Sequence, residues 1–403
     1  MEHGVNSFSI REVRLESGER LPLLVDGGPL GLPVQDVLQY TLTRLRARGL
    51  RRNSVRKRLD ALGLVLRFLS SRSIDVVART ASQTFLSIEE LVALADECRA
   101  PKQPQADRSI VNPAWAAVRY ATAVDFIVWI SEPVIARISP PKSRESANIA
   151  LLRFSRRARS VAPKLRGNAS HIDGERHGLL EAQRQLFLKV IRPGAPENPF
   201  SANTQVRNNA LLLVAFKLGA RSGEIRGLKK VDLNLDSQPA ELFIVPRHND
   251  VDDQRLDPAA AKTSGRMLYV DAELADALEK WLKERSVRPR WPRAHRNPYV
   301  FVNRFGDPME GRGYRKIIEA LRSKFPELSG LCHHVLRHDW NDRWITMIDD
   351  DQIDFEKAQQ EQRYAMGWSS KSGMPQRYGK QAIARAANKR ILKLQSDASS
   401  SDD

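Results

Sequence analysis

Residues 332–340 read CHHVLRHDW and place the cation Arg337 among three histidines, within little more than two helical turns. In a helix, His334 and Arg337 stand three residues apart and share one face. Such a face can bind a phosphate, because a guanidinium offers two parallel donors and an imidazole adds a third. The alternative is a surface helix with scattered histidines, and the spacing alone does not separate the two.

The composition favours a globular protein that binds a polyanion. The 403 residues are enough for two or three domains. Lys and Arg number 65 against 48 Asp and Glu, and this net charge of +17 favours nucleic acid first and an anionic membrane surface second. No apolar run is long enough to span a bilayer, and the N-terminus lacks the apolar segment of a signal peptide. Two cysteines give neither a disulfide framework nor a zinc spacing, which fits a reducing cytoplasm.

The first third of the chain is predicted to be a short extension followed by helices. Residues 1–30 alternate apolar and polar positions in part, which predicts an extended appendage. Ser87 with Glu90 predicts a capping box at one helix start, and Asn112 predicts the N-cap of another. From about 34 to 131 apolar residues recur at helical spacing, most clearly at Val55, Leu59, Leu62, Leu66 and Leu69.

A strongly basic stretch follows at 142–166. It contains one acid, Glu145, and eight cations: Lys142, Arg144, Arg153, Arg156, Arg157, Arg159, Lys164 and Arg166. Along a helix or linker these side chains would neutralise several phosphates. For the basic residues of the preceding helices, such as Arg56 and Lys57, a solvated helix face remains the alternative.

The second half of the chain contains a helix, 203–218, that is apolar almost all round and is therefore predicted to be buried. The sequence ARSGEI follows at 220–225. An arginine beside a buried helix is costly unless it is paired, so Arg221 is expected to have a carboxylate partner. The candidates are Glu224 and Asp232.

Two strand-like segments, 241–246 and 266–270, predict an antiparallel hairpin. Lys262 precedes the second segment, in the sequence KTSG, and is expected on or beside the tight turn of this hairpin. Asp271 predicts the N-cap of the next helix, and 300–302 is a candidate for a further short strand.

Five motifs occur in one order in this chain: ARSGEI at 220–225, Lys262-Thr263, HVLRH at 334–338, Gly367-Trp368 and Tyr378. Together they resemble the tyrosine recombinase, or phage integrase, family over about 178–395. The resemblance implies a mainly α fold with a small antiparallel β-sheet. It implies an N-terminal extension at 1–30, a helical core-binding domain at 31–166, a linker at 167–177, a mixed α/β catalytic domain at 178–395 and a disordered tail at 396–403.

The resemblance also implies a role for each matched side chain. Arg221 and Arg337 would bind the non-bridging oxygens of a scissile DNA phosphate, and His334 would add a hydrogen bond or act on the proton of the nucleophile. Fixed cations stabilise the charge that builds on a phosphodiester in the transition state. Two arginines can do what a metal ion otherwise does, so no metal or other cofactor is expected.

Three further residues complete the implied site. Lys262 would be the general acid for the 5′-oxygen leaving group, and Tyr378 would attack the phosphorus and form a 3′-phosphotyrosyl link. Such an ester keeps the phosphoryl group on the protein, so strands can rejoin without ATP. Trp368 occupies the position where most members have His, and it can support the site by packing but cannot exchange a proton.

The chain departs from the family pattern in two spacings. The interval from Trp368 to Tyr378 is one residue longer than expected. The interval from Arg337 to Gly367 is several residues longer and contains the acidic run 349–351. Both differences concern the geometry of connections.

The resemblance implies a site-specific recombinase that acts on double-stranded DNA as a tetramer on paired sites, possible accessory recombination proteins, and a cytoplasmic, nucleoid-associated location. Two other functions remain open. A type IB topoisomerase-like enzyme would use the same chemistry on one duplex, and a DNA-binding protein that has lost catalysis would bind without a covalent adduct. A nuclease is disfavoured because no paired-carboxylate metal cluster is evident.

Alternatives remain open for single residues. Tyr364 is the nearest rival nucleophile, but it precedes Gly367. His334 and His338 could form a metal pair, although the glutamate of a zinc protease is missing, and His338 is expected to be a buried imidazole. Glu224 is expected to be a structural partner of the arginines. The helix predicted at 381–394 could dock on a neighbouring subunit or pack on its own domain.

Overall fold

The computed structural model describes residues 7–28, 30–101, 111–162, 178–259, 261, 263–287, 291–351, 354–375 and 391. The chain divides into two compact units, Met1–Gly174 and Glu175–Asp403. Each unit combines helices with one small antiparallel sheet. The predicted mainly α fold with a small antiparallel sheet is therefore confirmed, with a second sheet that the sequence did not indicate.

The first unit begins with a β-hairpin rather than with the extended appendage that was predicted. Strand β1 (Phe8–Arg14) pairs with β2 (Arg20–Asp26) in a register that runs from Phe8 opposite Asp26 to Arg14 opposite Arg20. Leu24 of this hairpin is buried in one hydrophobic cluster with Val55, Leu59 and Leu62 of a following helix. The alternation of apolar residues therefore marked a strand whose partner is the next segment of the chain.

Six helices follow in the part of the first unit that the structure describes. They are α1 (Gln35–Tyr40), which continues as a π-helical stretch Thr41–Arg46, α2 (Arg52–Ser71), α3 (Val76–Ala81), α4 (Ile88–Arg99), α5 (Pro113–Ala136) and α6 (Pro141–Val161). In α2 the predicted apolar stripe is buried, apart from the half-buried Leu66, while Arg56 and Lys57 are exposed. The Ser87–Glu90 capping box and the Asn112 N-cap are both present, so the predicted helix starts are confirmed.

Residues 142–161 of the basic stretch lie in helix α6. Its buried positions form one stripe that packs in the hydrophobic core of the first unit: Ala147, Phe154, Ala158 and Val161. The described cations of the stretch are all exposed: Lys142, Arg144, Arg153, Arg156, Arg157 and Arg159. A helix of 21 residues extends over ~30 Å, so these cations are distributed along a surface that is long enough for several phosphates.

The second unit is built around a buried helix. Its elements are α7 (Glu181–Val190), α8 (Ala202–Leu218), α9 (Ser222–Gly227), β3 (Leu233–Asn234), β4 (Ala240–Ile244), β5 (Arg266–Val270), α10 (Ala272–Ser286), α11 (Gly311–Lys324), α12 (His333–Asp351) and α13 (Phe355–Met366). The seven consecutive residues from 210 to 216 in α8 are buried, as the sequence predicted. The strands form one antiparallel sheet in the order β3-β4-β5.

For the hairpin of the second unit, the sequence predicted the two strands correctly and their connection wrongly. Strands β4 and β5 pair as predicted, but residues 245–265 separate them, so the two strands are not joined by the tight turn that was expected. This connection is held by a buried ion pair, Asp253 with Arg255, whose guanidinium also donates to the carbonyl oxygens of Arg226 and Met309. Residue 302 makes only an isolated bridge, so the short strand proposed at 300–302 does not form.

The long interval between Arg337 and Gly367 is helical. Helix α12 continues to Asp351, and α13 begins at Phe355 with Asp354 as its N-cap. The acidic run 349–351 therefore lies at the end of a helix, and most of the described residues in this interval belong to α12 and α13. Among the described residues, no helix is both long and apolar enough to cross a membrane.

Candidate active site

Arg337 lies in the second turn of α12 and is 5% exposed. Its Nη1 donates to the carbonyl oxygen of Gly219 at 2.5 Å, and its Nη2 donates to that of Met366 at 3.1 Å. Gly219 ends α8 and Met366 is the last residue of α13, so the guanidinium contacts the carbonyl ends of two helices. These ends carry partial negative charge, which stabilises a cation without cancelling its formal charge.

Arg221 reaches the same acceptor from the start of α9. Its Nη1 donates to the Met366 carbonyl oxygen at 3.2 Å. The donating nitrogens of Arg221 and Arg337 therefore lie no farther apart than the sum of their two distances to this oxygen. Two guanidinium groups this close can bind one anion together. Arg221, Arg337 and the Met366 carbonyl are called the arginine clamp below.

Glu224 stands behind the clamp and is 3% exposed. Its carboxylate accepts from Arg266 at 3.0 Å, from the hydroxyl of Thr263 and from the backbone N–H of Arg221. Burial raises the pKa of this carboxyl, but the charge of Arg266 and the hydrogen bonds outweigh burial and hold the pKa below its ordinary value. Glu224 is therefore ionised and committed to structural contacts, as the sequence interpretation expected.

The carboxylate predicted to partner Arg221 is Glu224 rather than Asp232. The Arg221 Nη1 lies 3.6 Å from Glu224 Oε1. Asp232 instead binds the guanidinium of Arg247 and the backbone N–H of Lys229. The three arginines at 221, 266 and 337 with one carboxylate leave a net positive charge on this cluster. A positive cluster is what a phosphate site requires.

Two glycines allow the clamp to form. Gly219 has a φ of 56° and Gly367 has a φ of 62°, both in the left-handed region that ends a helix. A Cβ at position 219 would lie 2.9 Å from Met366 Cε and from Trp340 Cγ, and one at position 367 would lie 2.5 Å from Arg266 Nη1. Larger residues at either position would therefore displace the groups that hold the arginines.

Trp368 packs beside the clamp. It is 8% exposed, and its ring centroid is 5.6 Å from the guanidinium carbon of Arg337. It is buried together with Met366, against the partly buried Trp340. Trp340 is half-buried, stacks on Trp344 and donates from Nε1 to the Lys217 carbonyl. The position of Trp368 agrees with a packing role at the site.

The two histidines at the start of α12 have different environments. His334, the predicted site residue, is exposed, so it is accessible to a ligand. His333 instead shares a hydrogen bond of 2.6 Å between its Nδ1 and the hydroxyl of the buried Tyr314. Burial, with smaller effects of His334 and Arg337, lowers the pKa of His333 to about 3, so this imidazole is neutral near pH 7. His338, expected to be buried, is half-buried.

Two predicted site residues, Lys262 and Tyr378, lie outside the described residues, as do the predicted helix at 381–394 and the tail. The rival nucleophile Tyr364 is 57% exposed, and its hydroxyl donates to the Met267 carbonyl at 3.1 Å. Among the described residues, no group of three or more His, Cys, Asp or Glu side chains is arranged to hold a metal ion.

The model of the phage integrase family matches residues 194–385. Residues 194–385 therefore resemble the phage integrase family, as the sequence motifs predicted. The matched segment contains every residue that the sequence assigned to the integrase site, from Arg221 to Tyr378. No curated protein matches the chain.

Two solved structures match this chain, both with TM-scores below 0.5. One is the XerH site-specific recombinase bound to its difH substrate, with a TM-score of 0.40 and 17% identity over 83% of this chain and 88% of that one. The other is the Tn1549 transposon integrase in complex with transposon right end DNA, with a TM-score of 0.46 and 14% identity over 86% of this chain and 99% of that one.

Sequence reasoning missed the main-chain acceptors of the arginine clamp and the buried arginine behind it. The sequence does not mark the carbonyls of Gly219 and Met366 as acceptors, because every residue has a carbonyl. The available signal was a glycine at each helix end, Gly219 after α8 and Gly367 after α13. Arg266 was read only as the first residue of a strand. Its side chain is 1% exposed and pairs with Glu224, so a basic residue opening an otherwise apolar strand was the available signal.

Proposed function

We propose that the chain is a site-specific DNA recombinase that cuts and rejoins strands through a 3′-phosphotyrosyl intermediate, without metal or ATP. The observation that carries this proposal is that Arg221 and Arg337 donate to one oxygen, that of Met366. Side chains more than a hundred residues apart thus converge on a space where an anion would meet both. The family match over 194–385 supports the same reaction class.

The arginine clamp would stabilise the transition state at phosphorus. In-line displacement increases negative charge on the equatorial oxygens, and a guanidinium offers five N–H donors. Arg221 and Arg337 both lie beside the Met366 carbonyl, so their guanidiniums would meet the oxygens of a phosphate bound there. Because protein contacts fix both guanidiniums before DNA arrives, little reorganisation is needed during the reaction.

The other site residues take the roles that the family pattern gives them. The hydroxyl oxygen of Tyr378 attacks the phosphorus, the bond from phosphorus to the 5′-oxygen breaks, and Lys262 gives a proton to that oxygen. The exposed His334 donates to the phosphate or receives the proton of the tyrosine. A 5′-hydroxyl then attacks the phosphotyrosine, which restores the diester and frees the tyrosine.

Exposed cations in both units would bind the DNA backbone. Helix α6 of the first unit carries six of them, and α11 of the second unit exposes Arg312, Arg315, Lys316 and Arg322. Contacts of this kind position the protein on a duplex and make binding salt-dependent. We further propose that the active assembly is a tetramer on two paired DNA sites, with accessory proteins where the reaction has a fixed direction.

Covalent capture tests this proposal. The chain is incubated with a library of randomised duplexes that each contain one nick, in excess EDTA and without ATP. Protein-linked DNA is recovered under denaturing conditions and sequenced. We expect a defined set of sequences attached through their 3′-phosphate to Tyr378, which peptide mapping identifies. Attachment to another residue would refute the assigned nucleophile, and adducts that require a metal would refute the metal-independent mechanism.

The selected duplex separates recombination from its alternatives. A recombinase converts two copies of the selected site into exchanged products and forms complexes that contain two duplexes. A topoisomerase-like enzyme would relax supercoiled DNA of any sequence as a monomer. A DNA-binding protein without catalysis would bind the duplex and give no adduct at all.

A further inference from the structure

Two buried amides join the turn of α12 that carries Arg337 to the turn of α13 that ends in Met366. Asn341 lies one turn after Arg337, and Gln362 lies one turn before Met366. The Gln362 Nε2 donates to Asn341 Oδ1 at 2.9 Å, and the Asn341 Nδ2 donates to the Arg337 carbonyl oxygen at 2.7 Å. Asn341 is 0% exposed and Gln362 is 3% exposed.

This pair of amides reaches both parts of the arginine clamp. Through Asn341 it contacts the main chain of Arg337, and the same Nδ2 lies 3.7 Å from the sulfur of Met366. The carbonyl of that methionine is the oxygen that accepts from both guanidiniums. The relative position of α12 and α13 therefore decides where this acceptor stands. Buried amides are costly unless they are hydrogen-bonded, so the pair favours one relative position of the two helices.

We infer that Asn341 and Gln362 are positioning residues for the arginine clamp, an inference that rests on the proposed function. They act through Arg337 and Met366. A displacement of α13 along or away from α12 moves the Met366 carbonyl and with it the two guanidiniums. A misplacement of about 1 Å at a reacting centre can cost on the order of 100-fold in rate, so these amides affect cleavage far more than DNA binding.

The substitution Gln362→Met tests this inference, because it keeps the length of the side chain and removes both its donor and its acceptor. The matched control is Gln360→Met, the same change at an exposed position of the same helix. The probe is the nicked duplex obtained by covalent capture. Adduct formation is measured in single turnover with the protein saturating, well below the Tm of each variant, and the Kd is measured on the same duplex.

We expect Gln362→Met to slow adduct formation by about 10-fold or more while the Kd stays within about twofold of the original value. Gln360→Met should change neither quantity. A wild-type rate in Gln362→Met would overturn the inference. Equal losses of rate and affinity would also overturn it, because they would indicate a DNA contact rather than positioning.

A double variant separates positioning from stability. Gln362→Met leaves the buried Oδ1 of Asn341 without its donor, so the Tm should fall as well. Adding Asn341→Leu replaces both amides by apolar groups of similar size, a change that can be nearly neutral for stability. We expect the Tm to rise again while adduct formation remains slow. If the rate of adduct formation recovers together with the Tm, the amides have only a structural role and the inference fails. If the Tm does not recover, the rate and Kd of the single variant Gln362→Met decide whether the amides position the clamp.

Failure of the proposed function and failure of this inference give different results. If the original chain forms no adduct with any duplex of the library, the proposed function fails. If the original chain forms the adduct and Gln362→Met forms it equally fast, only the inference fails.

Discussion

Arg337→Ala perturbs the arginine clamp most directly. The guanidinium is 5% exposed and is held by the carbonyl oxygens of Gly219 and Met366, so its charge is fixed beside the position where a phosphate would bind. Removing one such preorganised donor costs about 10²–10³-fold in rate, which corresponds to about 2.7–4 kcal/mol of transition-state stabilisation. DNA affinity should change much less, since one cation among many phosphate contacts is lost.

The same substitution has a calculable effect on folding. Met366 keeps its hydrogen bond from Arg221, whereas the Gly219 carbonyl loses its bond from Arg337. A buried acceptor left without its donor costs about 1–3 kcal/mol, and the lost contact between the guanidinium and the ring of Trp368 adds about 1 kcal/mol. The free energy of unfolding should therefore fall by about 2–4 kcal/mol. Cleavage must accordingly be measured well below the Tm of the variant.

The assay compares Arg337→Ala with Arg156→Ala, which removes an exposed cation of α6. Single-turnover adduct formation is measured with saturating protein, and the Kd is measured at several salt concentrations. We expect Arg337→Ala to lose cleavage with little change in Kd. Arg156→Ala should weaken binding and lower the salt dependence by about one phosphate contact, with its rate unchanged at saturation. An Arg337→Ala rate within about threefold of the original would refute the clamp as the source of transition-state stabilisation.

Three other predictions concern the nucleophile, the helix end and acid stability. Tyr378→Phe should abolish the covalent adduct and leave the Kd unchanged, whereas Tyr364→Phe should retain it; loss of the adduct in the second variant alone would identify Tyr364 as the nucleophile. Gly367→Ala should lower the free energy of unfolding by about 2–4 kcal/mol, because a left-handed backbone and a close contact both oppose a Cβ. The control Gly330→Ala should leave the free energy of unfolding unchanged, because its Cβ would meet nothing within 4 Å. Equal urea midpoints for the two variants would contradict this account. The free energy of unfolding should fall as pH decreases from about 6.5 to about 3, because burial lowers the pKa of His333 in the folded state and the unfolded state therefore binds the proton first. His333→Gln should flatten this pH dependence. An unchanged slope in that variant would contradict the role given to His333.

The order of the motifs predicted both arginines of the clamp, Arg221 and Arg337, from the sequence alone. It did so because the residue types at those positions are uncommon: an arginine directly after a buried helix, and another among histidines. The periodicity of apolar residues likewise identified α2 and α8, and the capping residues identified where α4 and α5 begin. All of these signals are local, so they survive without knowledge of the tertiary structure.

The failures have a common physical cause. The connection from β4 to β5 was expected to be a tight turn, because Ser264-Gly265 has the composition of a turn. It is instead a long segment, in which Asp253 pairs with Arg255 and the Arg255 guanidinium donates to carbonyls of distant residues. Likewise, residues 8–26 form a hairpin because the two strands pair with each other and Leu24 packs in one cluster with residues of helix α2. Local composition cannot reveal contacts that form only after folding.

The sequence by itself determined which helices are buried, where they start, and which cations are candidates for a phosphate site. Only the tertiary structure decided that Arg337 donates to a carbonyl 118 residues away and shares a second carbonyl with Arg221. The same holds for the amides of Asn341 and Gln362, which meet between two helices. The reason is that every residue carries a main-chain carbonyl. The identity of a residue therefore does not predict whether its carbonyl will accept a hydrogen bond from a particular guanidinium. That choice is made by how the helices end and pack.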